Sequence, residues 1–113
     1  MSLENDKTLA TMVAREIDRH ARLAVLRFLD QGPGRLNDQI LLDLLAATGH
    51  PLTADHFDEL LAGLVRDGFL TTQPFDDVTL VNLTLEGQEV ATGRRRHEGI
   101  AQPPLRRSSR SGQ

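Results

Sequence analysis

Three acidic residues, Asp55, Asp58 and Glu59, recur at spacings that place their carboxylates on one face of a helix. Paired carboxylates perform acid–base catalysis when a nucleophile or a second titratable group lies beside them. The sequence offers no such partner. The acidic pair Asp76 and Asp77 follows a proline closely and is typical of a turn. We therefore expect that the chain is not an enzyme.

The four histidines, His20, His50, His56 and His97, do not have the spacing of metal ligands, and the chain has no cysteine. A surface or helix-capping role is expected for them. Residues 32–34 form a Gly-Pro-Gly loop, which lacks the Lys-Ser/Thr of a phosphate-binding loop. We expect neither a metal nor a cofactor.

The charge is divided unevenly along the chain. Residues 1–93 carry 7 Lys and Arg against 15 Asp and Glu, a net charge of −8, whereas residues 94–113 carry 6 Arg against 1 Glu, a net charge of +5. Such arginines neutralise phosphates without reading sequence. They are equally suited to an acidic protein surface or to a solubilising terminus. The candidate DNA-binding residues are Arg66, Arg94, Arg95, Arg96, Arg106, Arg107 and Arg110.

Apolar residues from Leu9 to Phe28 recur every three or four positions and predict a long first helix that ends at the Gly-Pro-Gly loop. Its first part is longer than the core of so small a domain requires. We therefore predict a homodimer through a strip of Leu9, Met12, Val13 and Ile17. The alternative is that this strip packs on its own domain.

The remaining elements follow from capping and turn signals. Asn37 is predicted to cap a second helix over residues 38–48, with Ile40, Leu41, Leu44 and Leu45 inward. Thr53 is predicted to cap a third helix that ends at Gly68, with its apolar residues inward. The inward residues are Phe57, Leu60, Leu61, Leu64 and Val65.

Two short β-prone runs, residues 69–72 and 78–83, flank a polar turn and predict a hairpin. Phe75 is expected to fold back on the core, the alternative being an exposed protein contact. Thr84 is predicted to cap a short helix that reaches Thr92. Beyond Gly93 the composition predicts a disordered basic tail.

Helix, glycine, strand, acidic turn, strand and Thr-capped helix is the layout of a winged helix-turn-helix. The pattern resembles ArsR-like winged-helix proteins and, more narrowly, is similar to the small winged-helix protein encoded among the late genes of Mu-like phages and prophages. The resemblance rests on residues 22–29, 37–49, 57–70 and 83–93, and on His97-Glu98-Gly99-Ile100 with Pro103. The metal-sensing Cys and His residues of true ArsR sensors have no counterpart here.

The predicted fold is thus mostly α with a small β-hairpin. Residues 1–18 form an N-terminal helix extension, residues 19–93 the winged-helix domain, and residues 94–113 the disordered tail. The resemblance implies a DNA-associated, transcription-regulator-like protein of phage or prophage origin, in the cytoplasm of a bacterial host. Double-stranded DNA would then bind through the basic tail, because the acidic third helix opposes phosphates.

The alternative function is a protein–protein interaction adaptor that keeps the winged-helix fold without reading DNA. Its acidic third helix and acidic hairpin turn would meet a basic protein partner. A basic stripe on the folded surface would favour DNA, and a continuous acidic or apolar patch on the third helix would favour the adaptor. No apolar run is long enough to span a membrane, and no signal peptide precedes the first helix.

Overall fold

A computed structural model describes residues 3–104, with side chains from residue 7 onward. The fold is mostly helical, with a small three-stranded antiparallel sheet in the order β1-β3-β2. The elements in chain order are α1 (Leu3–Gln31), β1 (Arg35–Asn37), α2 (Asp38–Ala47), α3 (Ala54–Arg66), β2 (Leu70–Phe75), β3 (Val78–Leu83) and α4 (Leu85–Ala91).

The three predicted helix caps are confirmed. The side chains of Asn37, Thr53 and Thr84 each accept a hydrogen bond from a backbone N–H in the first turn of α2, α3 and α4, at 2.8, 3.1 and 3.0 Å. Each bond satisfies a donor that the helix itself leaves free. Gly68, just past the end of α3, has a φ of 87°, a conformation that a side chain disfavours.

The strand β1 was not predicted from the sequence. Its three residues pair antiparallel with β3, so that Leu36 lies opposite Val81 and turns inward beside it. The predicted hairpin is present, but β2 continues to Phe75, beyond the run that ended at residue 72. Asp76 takes the positive φ of 53° that the two-residue turn needs, which Asp tolerates better than most residues.

The core lies between the second half of α1 and the inner faces of α2, α3, α4 and the sheet. Among the predicted inward residues of α3, Phe57, Leu60, Leu61 and Leu64 are buried and Val65 is half-buried. In α2, Leu41 and Leu45 are fully buried, and Leu44 is half-buried.

Two apolar side chains lie further out than predicted. Ile40, in the first turn of α2, is 43% exposed, because the inner face of that helix is centred on Leu41 and Leu45. Phe75 is 58% exposed, so the expectation that it folds back on the core is wrong. In β2 it alternates with Pro74, and this alternation turns its ring to the outer face of the sheet.

The first part of the predicted disordered tail is ordered. Ile100 and Ala101 are 2% and 4% exposed, in the same core as α1 and α4. Arg19 donates from Nε to the carbonyl of Glu98 at 2.8 Å, and Arg22 donates from Nη1 to the carbonyl of Gly99 at 2.9 Å. The prediction of disorder is therefore corrected for residues 94–104. The positions of Arg106, Arg107 and Arg110 lie outside the described residues.

This packing predicts that Ile100 contributes to stability. Ile100→Ala should lower the free energy of unfolding by roughly 2–5 kcal/mol, because it opens a cavity against α1. The control Gln102→Ala, at an exposed position of the same segment, should change it by only about 0.5 kcal/mol. Urea denaturation followed by circular dichroism measures both. Equal losses for the two variants would contradict the docking of this segment.

Candidate functional site

The outer face of α3 is acidic. Because the cap at Thr53 and the buried leucines set the rotation of the helix, Asp55, Asp58 and Glu59 all point to solvent. The predicted phase of the helix is confirmed by this exposure. The full outward set, exposed throughout, is Ala54, Asp55, Asp58, Glu59, Ala62 and Arg66.

His56 joins the start of α3 to α1. Its Nε2 lies 2.8 Å from the Asp18 carboxylate, and its Nδ1 lies 3.6 Å from the Glu59 carboxylate. The hydrogen bond with Asp18 is the largest effect that raises the pKa of His56, and Glu59 adds to it. The contact orients α3 on α1, which is a structural role for this histidine.

A groove of about 330 Å³ runs beside the acidic face of α3. Its apolar floor is formed by Leu61, Ala62 and Val65 of α3. The carboxylates of Asp38 and Asp58 stand on its rim, from the first turn of α2 and from α3. Thr72 and Thr79 close it on the side of the sheet.

Asp38 is held in place by the sheet. Its Oδ1 accepts a hydrogen bond from the backbone N–H of Thr79 at 3.2 Å, which ties the start of α2 to β3. Sequence reasoning missed Asp38 as a site residue. The sequence marked Asp38 only as an acidic residue in the first turn of a helix. Its position beside α3 depends on a contact between residues that are far apart in the chain.

The β2–β3 hairpin continues the acidic character of this face. Its turn consists of Asp76 and Asp77, and residues 69–83 include no Lys or Arg. Next to the turn, the Phe75 ring is exposed, but it lies on the opposite side of β2 from Thr72, which lines the groove. The helix α3, the groove and the hairpin together present carboxylates and apolar surface. We call this surface, defined by α3, β2, β3 and Asp38, the α3–hairpin face.

The candidate DNA-binding arginines have different surroundings. Arg66 is exposed at the end of α3, and Arg94, Arg95 and Arg96 are exposed after α4. Of these, Arg95 bonds the Glu89 carboxylate with its Nη2 at 2.7 Å, so its charge is partly compensated. The contact of these arginines with DNA stays a prediction.

The predicted dimer strip is exposed in the single chain. Leu9, Met12, Val13 and Ile17 have exposed fractions between 51% and 57%. They therefore do not pack on their own domain, which was the alternative. The dimer itself stays a prediction. Within residues 3–104 there is no cluster of three potential metal ligands, and no helix there is long and apolar enough to cross a bilayer.

Comparison with known proteins yields a relative in a bacteriophage. The sequence is 34% identical, over 82 residues, to the uncharacterized protein gp26 of Escherichia phage Mu. The alignment covers 73% of this chain and 85% of gp26. The chain belongs to the gp26 family. This membership supports a phage origin, as the sequence-based resemblance predicted. No protein-family model matches the chain. No solved structure matches it either.

The contact of His56 with Asp18 predicts a pH dependence of stability. Because the pKa of His56 is raised on folding, its contribution is fully present below about pH 6.5, its ordinary value, and is lost as the pH rises through the folded pKa. The side chain is 41% exposed, so the contribution should be no more than about 1 kcal/mol.

His56→Gln should therefore remove part of the fall in melting temperature between about pH 6 and pH 8. Thermal unfolding at several pH values within that window measures the effect. Asp18→Asn, which removes the facing carboxylate and keeps His56, is the companion variant and should remove the same part of this fall. An unchanged slope in His56→Gln would show that the contact with Asp18 is not maintained in solution.

Proposed function

We propose that this phage protein is a non-enzymatic winged-helix protein whose α3–hairpin face binds another protein. The order of helix, short strand, two helices and β-hairpin supports the winged-helix assignment. So does the way β1 closes the hairpin into a three-stranded sheet. In this fold the third helix and the hairpin are the usual contact surface, as the sequence resemblance implies.

The observation that carries the proposal is the acidic groove on this surface. Its floor is apolar, and its rim carries Asp38 and Asp58. A major groove of DNA is read by side chains that donate to base edges, and its phosphates attract positive charge. Asp55, Asp58 and Glu59 repel phosphates at the centre of the same surface, which favours a protein partner over DNA.

The chemistry of the groove specifies the kind of partner. An aliphatic side chain would lie on Leu61, Ala62 and Val65. Lys or Arg side chains on either side of it would reach the carboxylates of Asp38 and Asp58, because charged rims steer and orient a partner of opposite charge. The partner is therefore a basic segment with an apolar anchor. This arrangement combines an apolar centre and a polar rim, as protein interfaces generally do.

DNA association is a second candidate, supported by a different region. Arg94 and Arg96 are exposed and adjacent to the docked segment that holds Ile100. Together with the arginines beyond residue 104 they form the positive part of a chain whose first 93 residues carry a net charge of −8. Binding through them would be independent of sequence and sensitive to salt.

The protein-binding proposal predicts a position-dependent effect of charge reversal. A synthetic peptide in which short runs of Lys alternate with short runs of Leu should bind the protein. Asp58→Lys should weaken that binding at least about tenfold, which is a loss of about 1.4 kcal/mol in binding free energy. The reason is that the substitution places a cation on the rim of the groove. Fluorescence anisotropy of the labelled peptide measures the affinity at low and physiological salt.

Glu86→Lys is the matched control, since it makes the same charge change at an exposed position of α4. At physiological salt it should leave the affinity for the peptide within about twofold of wild type, because Glu86 does not line the groove and exposed charges are screened at that ionic strength. Equal weakening by both variants would mean that the peptide senses only net charge. That outcome would contradict a binding site on the α3–hairpin face.

The DNA candidate predicts that neutralising arginines weakens binding. In a gel-shift assay with a duplex of arbitrary sequence at low salt, changing Arg94 and Arg96 to Gln should weaken binding and lower the salt dependence by about 0.9 per lost phosphate contact. Changing Asp55 and Asp58 to Asn should strengthen binding only if α3 approaches the duplex. Tight binding to one sequence at physiological salt, unaffected by the arginine changes, would contradict this second candidate.

A further inference from the structure

The apolar strip of α1 lies on the side of the helix away from the core. At 3.6 residues per turn, Leu9 and Val13 lie roughly 120–160° around the helix from the buried Val25 and Leu29, and Ile17 lies at the edge of the same outer face. Residues 7–17 are exposed throughout. A helical segment of this length is marginal in water by itself, so an apolar face along it calls for a partner.

The strip continues into a trough on the second half of α1. One hollow contains Val13, Ile17 and His20, and the next contains His20 and Ala24. His50, in the turn between α2 and α3, lines both hollows and joins them. On the other side the trough is bounded by the docked C-terminal segment, through Gln102 and Pro104. The same face of α1 thus projects freely at Leu9 and is bordered by hollows from Val13 to Arg27.

We propose that a second copy of this chain covers this face, with the two α1 helices antiparallel and the two-fold axis between Glu16 and Ile17. In that register the first half of each α1 enters the trough on the second half of the other. Leu9 of one copy lies opposite Ala24 of its partner, and Val13 lies opposite His20. The contact uses the same surface of both copies, as a two-fold interface requires.

Size and polarity fit this register. The large Leu9 side chain meets the small Ala24 in a hollow of about 280 Å³, a knob-into-hole pairing. Near the axis, the Glu16 carboxylate already bonds Arg19 Nη1 at 2.7 Å and His20 Nε2 at 3.0 Å. It therefore keeps its hydrogen-bond partners when a second helix approaches, so the charge is not left unpaired in the interface.

Charge complementarity favours a second copy in the antiparallel orientation. In this register position 6 of α1, an aspartate in the sequence, lies opposite Arg27 at the far end of the partner's trough. An antiparallel copy therefore places an acidic position of one helix opposite a basic residue of the other at each end of the contact. A parallel copy would place like charges together and leave the trough empty. This inference is independent of the proposed function of the α3–hairpin face.

Cysteine cross-linking tests the register directly, because the sequence has no cysteine of its own. A mixture of Leu9→Cys and Ala24→Cys chains should form a cross-linked dimer with a short bis-maleimide. Leu9→Cys alone should not, since its two copies would lie about 22 Å apart along the helices at 1.5 Å per residue. Efficient cross-linking of Leu9→Cys alone would overturn the antiparallel arrangement.

The oligomeric state tests whether a second copy of the chain covers this face of α1. The full chain should sediment as a dimer at roughly 50 µM, where an interface of micromolar affinity is filled. Val13→Asp should make it a monomer with an unchanged circular dichroism spectrum, because the substituted side chain is exposed in the single chain. Thr11→Asp, on the opposite side of α1, is the control and should remain a dimer. A monomeric wild-type chain at this concentration would overturn the proposal.

Discussion

The rest of the structure depends on the burial of the second half of α1. Ala21, Val25, Leu26 and Leu29 are fully buried, and α2, α3, α4 and β3 all pack around this one helix. In so small a domain a single hydrophobic core has little stability to spare, so each element must contribute to covering α1. The C-terminal segment does so as well, through Ile100, and its carbonyls are held by arginines of the same helix.

The same helix shows two different environments along its length. Its second half is packed by the domain on all sides but the one that carries His20 and Ala24, whereas its first half projects with apolar side chains in solvent. The helix is continuous because its apolar residues recur every three or four positions along both halves. Tertiary packing decides only which of its faces is buried. A protein of this size that exposes four large apolar residues on one face has a surface suited to association.

The helix α3 illustrates how a fold and its charges can favour different functions. In the winged-helix assignment proposed above, this helix beside the β-hairpin would be the one that approaches DNA. Its outer face nevertheless carries Asp55, Asp58 and Glu59, and the groove beside it adds Asp38. Electrostatic repulsion from phosphates acts at these positions whatever the fold is, so the side chains argue for a protein partner. A two-fold dimer would carry two such faces and bind a repeated partner with higher avidity.

The parts of the fold that could be predicted from the sequence are those set by neighbouring residues. The caps at Asn37, Thr53 and Thr84 act within one helical turn, and the apolar spacing of α3 determines which side of that helix is buried. The acidic outer face of α3, and with it half of the candidate site, followed from that spacing alone.

Only the tertiary structure decided the features that join distant residues. The strand β1 is three residues long and exists because β3 lies beside it, which no local pattern signals. Asp38 reaches the rim of the groove because β3 holds it, and Phe75 is exposed because the register of β2 turns it outward. Residues 94–104 looked too polar to fold, but two apolar side chains and the arginines of α1 suffice to hold them. The physical reason is the same in each case: local sequence sets backbone preferences, whereas burial and pairing depend on which surfaces meet.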